Sequence, residues 1–231
     1  MVKTFSKQIT DVNRTVMSNK KNAWLVIHYV GAVSSAKNNA IYFEKIYRGA
    51  SAHYFVDETS IWQVVEDKDK AWSIGLDPEL VEKGVLKYYC GARNNNSLNI
   101  EMCCKIKNGE WYIEQDTVEN TLWLAAQLIK KYNIPLDHIV RHYDCTHKVC
   151  PDPFVKNPKL WSDFLKRLEE SLMPDIPEIS ITEKREKVKQ VANLDEKTIN
   201  YLFDDYFHRE PLLDKFYKLA VDAEKYRNGL K

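Results

Sequence analysis

No run of apolar residues in this 231-residue sequence approaches the length of a membrane-spanning helix, which argues against membrane insertion. An excess of charge of one sign is missing too. Lys and Arg number 34 against 33 Asp and Glu, a formal net charge of +1, so no global field draws the chain to nucleic acid. The five cysteines are odd in number, include the adjacent pair Cys103-Cys104, and keep no regular spacing. They make no disulfide framework, and reduced thiols are the expectation. The N-terminus has no apolar core behind a basic start, so no signal peptide is expected. What remains is ordinary: 44% hydrophobic and 29% charged residues describe a soluble globular chain with room for one full domain and a small appendage.

Local patterns predict an α/β fold, a mixed central sheet flanked by helices, followed by a small all-α appendage. Residues 1–22 are polar and read as an irregular arm or a short edge element. The continuous apolar run 24–27 marks a buried strand. Ser34 and Ser35 can cap a helix over 36–47, with Ala40, Phe43 and Tyr47 on one face and Gly49 stopping it. Runs 53–56 and 61–65, joined by Asp-Glu-Thr-Ser turn chemistry, predict a hairpin. A long irregular stretch covers 71–97, and 98–105 is the next strand. Asp116 or Thr117 caps a helix over 118–132, with Leu122, Ala125, Ala126 and Ile129 buried and Asn133 and Pro135 ending it. Ile139 and Val140 lead into a histidine-bearing loop, after which Leu160, Trp161, Phe164, Leu165 and Leu168 repeat at helical spacing.

Two prolines, Pro174 and Pro177, place a boundary that divides the chain into 1–173 and 174–231. Beyond it, Ser180 and Glu183 have capping-box spacing for a helix to Val191. Asp195 can cap a second, with Ile199, Leu202, Phe203 and Tyr206 as its stripe. Pro211 suits the first turn of a third, carrying Leu212, Leu213, Phe216, Tyr217 and Ala220. So small a bundle is marginal alone and is expected to pack on the first domain or on a second copy.

The run Arg141-His142-Tyr143-Asp144-Cys145-Thr146-His147-Lys148-Val149-Cys150-Pro151 sets imidazoles, thiols, a carboxylate and an ammonium together with neither helical nor strand periodicity. His28 follows the apolar run 24–27, where a buried strand would deliver it to the rim of a site. Imidazole and thiolate ligands from two distant segments suit a tetrahedral zinc whose fourth position is left to water. A structural zinc site, closed by Cys145 or His147, fits the same ligand chemistry. In the strand 98–105, alternation sends Ile100 and Met102 to one face and Glu101 to the other. A lone carboxylate there needs a partner or a task. It reads either as a salt bridge to a nearby Lys or Arg, or as a general base for a metal-bound water.

The R-H-Y-D-x-T-x-K-x-C-P run, the histidine ending the first core strand, and Asn99-Ile100-Glu101-Met102 between them resemble the zinc-dependent N-acetylmuramoyl-L-alanine amidases. That family shares its fold with the peptidoglycan recognition proteins and includes many phage endolysins. Ser51-Ala52-His53-Tyr54-Phe55-Val56 and Lys70-Ala71-Trp72 also stand where the family has similar segments, and the resemblance covers residues 20–170. It implies His28, His142 and Cys150 as ligands of a Zn2+ ion, since Pro151 follows Cys150 as the family's Cys-Pro pattern has it. It implies Glu101 as general base and Lys148 as the electrostatic partner of the oxyanion. Cys145 stands where the family has an apolar residue and reads as packing. The tyrosine that one branch uses just before a histidine is absent, because Ala52 precedes His53, and Tyr54 reads as core.

Trp72 and Asn95 are candidate walls for substrate, beside the plainer readings of aromatic packing and a polar loop. Asp144 is a candidate acceptor behind a ligand imidazole, or else a brace for its own loop. The implied activity is hydrolysis of the amide between N-acetylmuramic acid and L-alanine of peptidoglycan, by a phage or prophage endolysin or an autolysin. Such a chain is made in the cytoplasm and reaches the wall through a holin. The alternative within the fold is a peptidoglycan-binding module that does not cut. Retention of all three ligands with Glu101 and Lys148 favours the enzyme. The C-terminal helices are expected to serve wall targeting or a homodimer.

Overall fold

A computed structural model describes residues 4–76, 78–84, 87–172, 180–201 and 210–229. Its strands are β1 (Thr4–Lys7), β2 (Trp24–Val33), β3 (Tyr54–Val56), β4 (Ser60–Gln63), β5 (Ser97–Lys107), β6 (Glu110–Tyr112) and β7 (Ile139–Arg141). They form one sheet in the order β1-β4-β3-β5-β2-β7, with β6 paired to β5. Pairings are antiparallel between β3 and β4 and between β5 and β6, and parallel elsewhere. This is the expected mixed sheet.

The middle strands are apolar on both faces because both faces are covered. Leu25, Ile27, Leu98, Ile100 and Met102 turn to one side, against helices α3 (Gln115–Tyr132) and α6 (Pro158–Leu172). There Leu122, Ala125, Ala126 and Ile129 of α3 meet Phe164 and Leu168 of α6, as their spacing predicts. Full burial of side chains this size contributes about 1.5–3 kcal/mol each. On the other side Val26 packs with Ile74, Ala92 and Cys145, and Phe55 packs with Ala36 and Ala40 of α1 (Ala36–Glu44).

Three boundaries depart from the sequence reading, each for a physical reason. Helix α1 is capped by Ser35 as expected but ends at Glu44, leaving Tyr47 71% exposed. Its last carbonyls are taken by the N-terminal arm: Thr10 Oγ1 donates to Glu44 O, and Asn13 Nδ2 to Phe43 O and Ile46 O. Helix α3 begins at Gln115, which places Asp116 inside the first turn, where a carboxylate favours the helix N-terminus. Strand β6, which the sequence reading leaves out, follows a tight turn in which Asn108 and Gly109 both take positive φ, 54° and 82°. That Asn-Gly pair is a hairpin signal in its own right. In the long stretch 71–97 the chain makes a short helix α2 (Pro78–Glu82).

Residues 173–231 form a second compact unit. Its helices are α7 (Ile181–Ala192), α8 (Glu196–Asn200) and α9 (Glu210–Gly229). Ser180 and Glu183 make the predicted reciprocal cap, and Asp195 accepts from Thr198 N. Val188, Ile199, Tyr217 and Ala220 make the unit's small core, whereas Phe216 is exposed. The proline pair at 174 and 177, the side chains of Leu212 and Leu213, and Leu202, Phe203 and Tyr206 lie outside the described residues.

Candidate metal centre

Strand register sets the site-bearing positions of the three adjacent strands β5, β2 and β7 at one level. His28 of β2 pairs with Glu101 of β5, and Ile27 pairs with Arg141 of β7. His142, the next residue after Arg141, opens the short helix α4 (His142–Thr146) beside His28. The two imidazole rings lie 4.8 Å apart, centre to centre. The loop after α4 folds back, Tyr143 N donating to Cys150 O at 2.9 Å, and Cys150 Sγ comes to 3.8 Å from His28 Nδ1. His28, His142 and Cys150 thereby offer ligand atoms within 4.8 Å of one another, and all three residues are buried.

Each imidazole is gripped on its far nitrogen. His28 Nε2 meets Asn99 Oδ1 at 3.0 Å, and His142 Nε2 donates to Gly75 O at 2.8 Å, so Nδ1 is the atom each ring would offer to a metal. Burial, followed by the neighbouring His142, holds His28 far below the usual histidine range and keeps it neutral. Burial pushes the Cys150 thiol up. A bound cation reverses that preference and takes the thiolate.

Glu101 lies beside the cluster, Oε1 3.8 Å from His28 Nδ1, while Oε2 is shielded from solvent and without a hydrogen-bond partner. Burial raises its carboxyl to about 8 against the pull of Lys148. A cation among the ligands lowers it again. Lys148 is exposed and joins Glu101 in lining a cleft of about 640 Å³, together with Phe43, Phe55, Trp72 and Ser73. Trp72 is fixed there by its indole N–H to Thr15 Oγ1. A second groove, of about 570 Å³ along Trp111, Phe154 and Leu160, contains none of these groups.

Three groups take the plainer of the readings open to them. Asp144 braces its own loop rather than a ligand imidazole. Its carboxylate accepts from Arg141 N at 2.8 Å and from the Arg141 guanidinium, capping α4 where the sequence shows no helical period. Asn95 is exposed in a turn and is not among the residues that line the cleft. Its neighbours have the structural work: Asn94 Oδ1 accepts from Ser73 N and Ile74 N, which steadies the segment whose Gly75 carbonyl holds His142. Finally, neither proposed fourth ligand is near. Cys145 Sγ lies 3.4 Å from Cys90 Sγ in another cluster, and His147 is exposed, stacked on Tyr89. Among the described residues the cluster holds three potential protein ligands, His28, His142 and Cys150.

The sequence reading missed Asn99, Gly75 and His53. Asn99 carried a signal: it shares the phase of Glu101 in β5, a second polar group on the same face. His53 is buried, its ring held neutral by a pKa pushed down to about 3 by burial, then by Lys20. Lys20 Nζ lies 3.0 Å from His53 Nε2 and donates to Asp67 O, and burial lowers its pKa to about 7 from an ordinary 10.5. Across that window the unfolded chain binds the proton that the folded one has lost, so Lys20 makes stability rise with pH from about 7 to 10.5. Lys20→Met should remove this slope. Chemical denaturation of both proteins across the window checks it, and parallel stability curves would refute it.

Comparison with known proteins agrees with this geometry. The profile of the N-acetylmuramoyl-L-alanine amidase family matches residues 18–153. The chain is 35% identical over 153 residues to a Bacillus licheniformis protein named "Probable N-acetylmuramoyl-L-alanine amidase", covering 64% of this chain and 41% of that one. It is 32% identical over 154 residues to N-acetylmuramoyl-L-alanine amidase CwlL of the same organism, covering 64% and 41%. The chain thus spans about two fifths of the length of these relatives. The solution structure of the PlyG catalytic domain shares its fold, with a TM-score of 0.59 at 20% identity over 76% of this chain and 99% of that domain.

Proposed function

The chain belongs to the N-acetylmuramoyl-L-alanine amidase family, and from that premise we propose that its first unit hydrolyses the amide between N-acetylmuramic acid and L-alanine of peptidoglycan at a zinc centre. One observation carries the reading. His28, His142 and Cys150 converge within 4.8 Å beside a carboxylate, Glu101, whose Oε2 is buried and unbonded. Two imidazoles and a thiol are a donor set that suits zinc. Bound there, zinc supplies Lewis acidity and lowers the pKa of a water to about 7. Glu101 takes a proton at Oε2 and returns it to the departing alanine nitrogen. Lys148 sets its ammonium in the cleft, where it stabilises the negative charge developing on the carbonyl oxygen. Trp72 and Phe55 give that cleft an apolar wall that excludes water from the reacting bond.

End-group analysis tests the reading. Purified peptidoglycan treated with the full chain should gain free N-terminal alanine without new reducing ends. New reducing ends would mean that a different bond is cut. Binding to the wall with no new end groups would identify a recognition module instead.

For residues 173–231 we propose wall targeting or self-association, since every residue of the site precedes Met173. A chain truncated after Leu172 should bind metal with unchanged stoichiometry and keep its activity on soluble muropeptides. Activity on intact walls should fall through lost avidity if the segment targets the wall. A change in sedimentation would instead assign it to self-association. Loss of metal on truncation would place it within the catalytic fold and overturn the proposal.

A further inference from the structure

A chain of polar contacts runs from the buried His53 to the candidate metal ligand His28, and its proton directions can be derived. The backbone N–H of Asn99 points at His53 Nδ1 from 3.1 Å. A backbone amide only donates, so Nδ1 holds a lone pair and the ring's proton sits on Nε2. That proton faces Asp69 O at 3.1 Å. Lys20 Nζ, 3.0 Å from the same Nε2, is compatible with it as a neutral amine.

The orientation of the Asn99 side chain follows from two independent neighbours. Its Nδ2 lies 3.4 Å from the lone pair of His53 Nδ1 and 3.1 Å from Ser97 Oγ. The Ser97 hydroxyl gives its single proton to Arg93 O at 2.7 Å, so toward Asn99 it can only accept. A flipped amide would set its oxygen against two acceptors. Asn99 therefore turns Oδ1 to His28, and at 3.0 Å an amide oxygen requires a proton on His28 Nε2. The lone pair is left on Nδ1, the atom 3.8 Å from Cys150 Sγ.

We infer that Asn99, locked by His53 and Ser97, is a positioning residue that sets His28 in its Nε2–H tautomer before any metal arrives and aims Nδ1 at the metal. The inference rests on the metal-centre reading above. Its physical gain is preorganisation. A neutral imidazole free to choose its tautomer would spend part of its binding free energy on selecting one, and a ring without an acceptor behind it would be a weaker donor.

Two measurements on the full chain test it. Long-range proton–nitrogen NMR of the metal-free protein reads the tautomer directly, with the His28 signals assigned by their loss in His28→Ala. Wild type should show Nε2–H, and Asn99→Leu, which removes the acceptor, should show a mixture. Cobalt titration, followed by thiolate-to-cobalt absorption, should find binding weakened by roughly 10- to 100-fold in Asn99→Leu. A wild-type His28 protonated on Nδ1 overturns the inference, and that spectrum needs no substituted protein to fold. An Asn99→Leu protein with wild-type tautomer and cobalt affinity overturns it equally. Full cobalt binding by His28→Ala would instead overturn the metal-centre reading itself, a result distinguishable from either.

Discussion

Glu101→Gln should lower amide hydrolysis by about a hundredfold or more while the protein keeps its full complement of metal. The substitution preserves shape and removes the one group able to take a proton at the cleft-facing end of β5. Its Oε2 is buried with no hydrogen-bond partner, so the carboxylate has no structural duty that the amide would fail to perform. It also stands directly across from His28 in the strand register, at the level where the ligand atoms meet. Rate measurements on soluble muropeptides, with metal analysis of the same samples, separate catalysis from binding. Turnover near the wild-type rate would reduce Glu101 to a spectator of the metal site. Loss of metal would make it part of the ligand set.

The second large effect belongs to Cys150. Cys150→Ser should weaken metal binding by more than about a hundredfold, beyond the usual range for losing a group that only braces a ligand, and abolish activity with it. Cys145→Ser should keep both. The two thiols are five positions apart in the chain, yet the fold sends them to different places. Cys150 comes to 3.8 Å from His28 Nδ1, whereas Cys145 is paired with Cys90 among Val26, Ile74 and Ala92. Metal content of the two variants decides the assignment, and the reverse pattern would move the third ligand to Cys145. Chelation of the wild-type protein should stop hydrolysis and leave most of the fold, since the core around Leu25, Ile100 and Phe164 includes none of the three candidate ligands.

Much of this molecule could be read before any coordinates. The apolar run ending at His28, the stripe of α3, the caps at Ser35 and Ser180 and the hairpin turn at Asp57 obey local rules, and local rules need only neighbouring residues. The run 141–151 showed imidazoles and thiols together, and the resemblance to the amidases singled out His28, His142 and Cys150 as the ligands. The end of α1 was not legible, because its carbonyls are satisfied by Thr10 and Asn13 from a separate arm. The readings of Asp144 and Asn95 stayed open because a polar side chain beside a site can point either to the site or to its own backbone. Sequence does not say which.

What the sequence by itself determined is the inventory: an α/β domain, a helical appendage, and residues able to hold a metal and move a proton. Which of them meet was decided by tertiary structure. Parallel register brings His28, Glu101 and His142 to one level, and the fold back through Tyr143 brings in Cys150 and leaves Cys145 and His147 elsewhere. The grip of Asn99 and Gly75 on the two imidazoles also exists only in three dimensions. A strand's pattern states which face a side chain takes, but its neighbour across the sheet depends on register, and register is set by how whole elements pack.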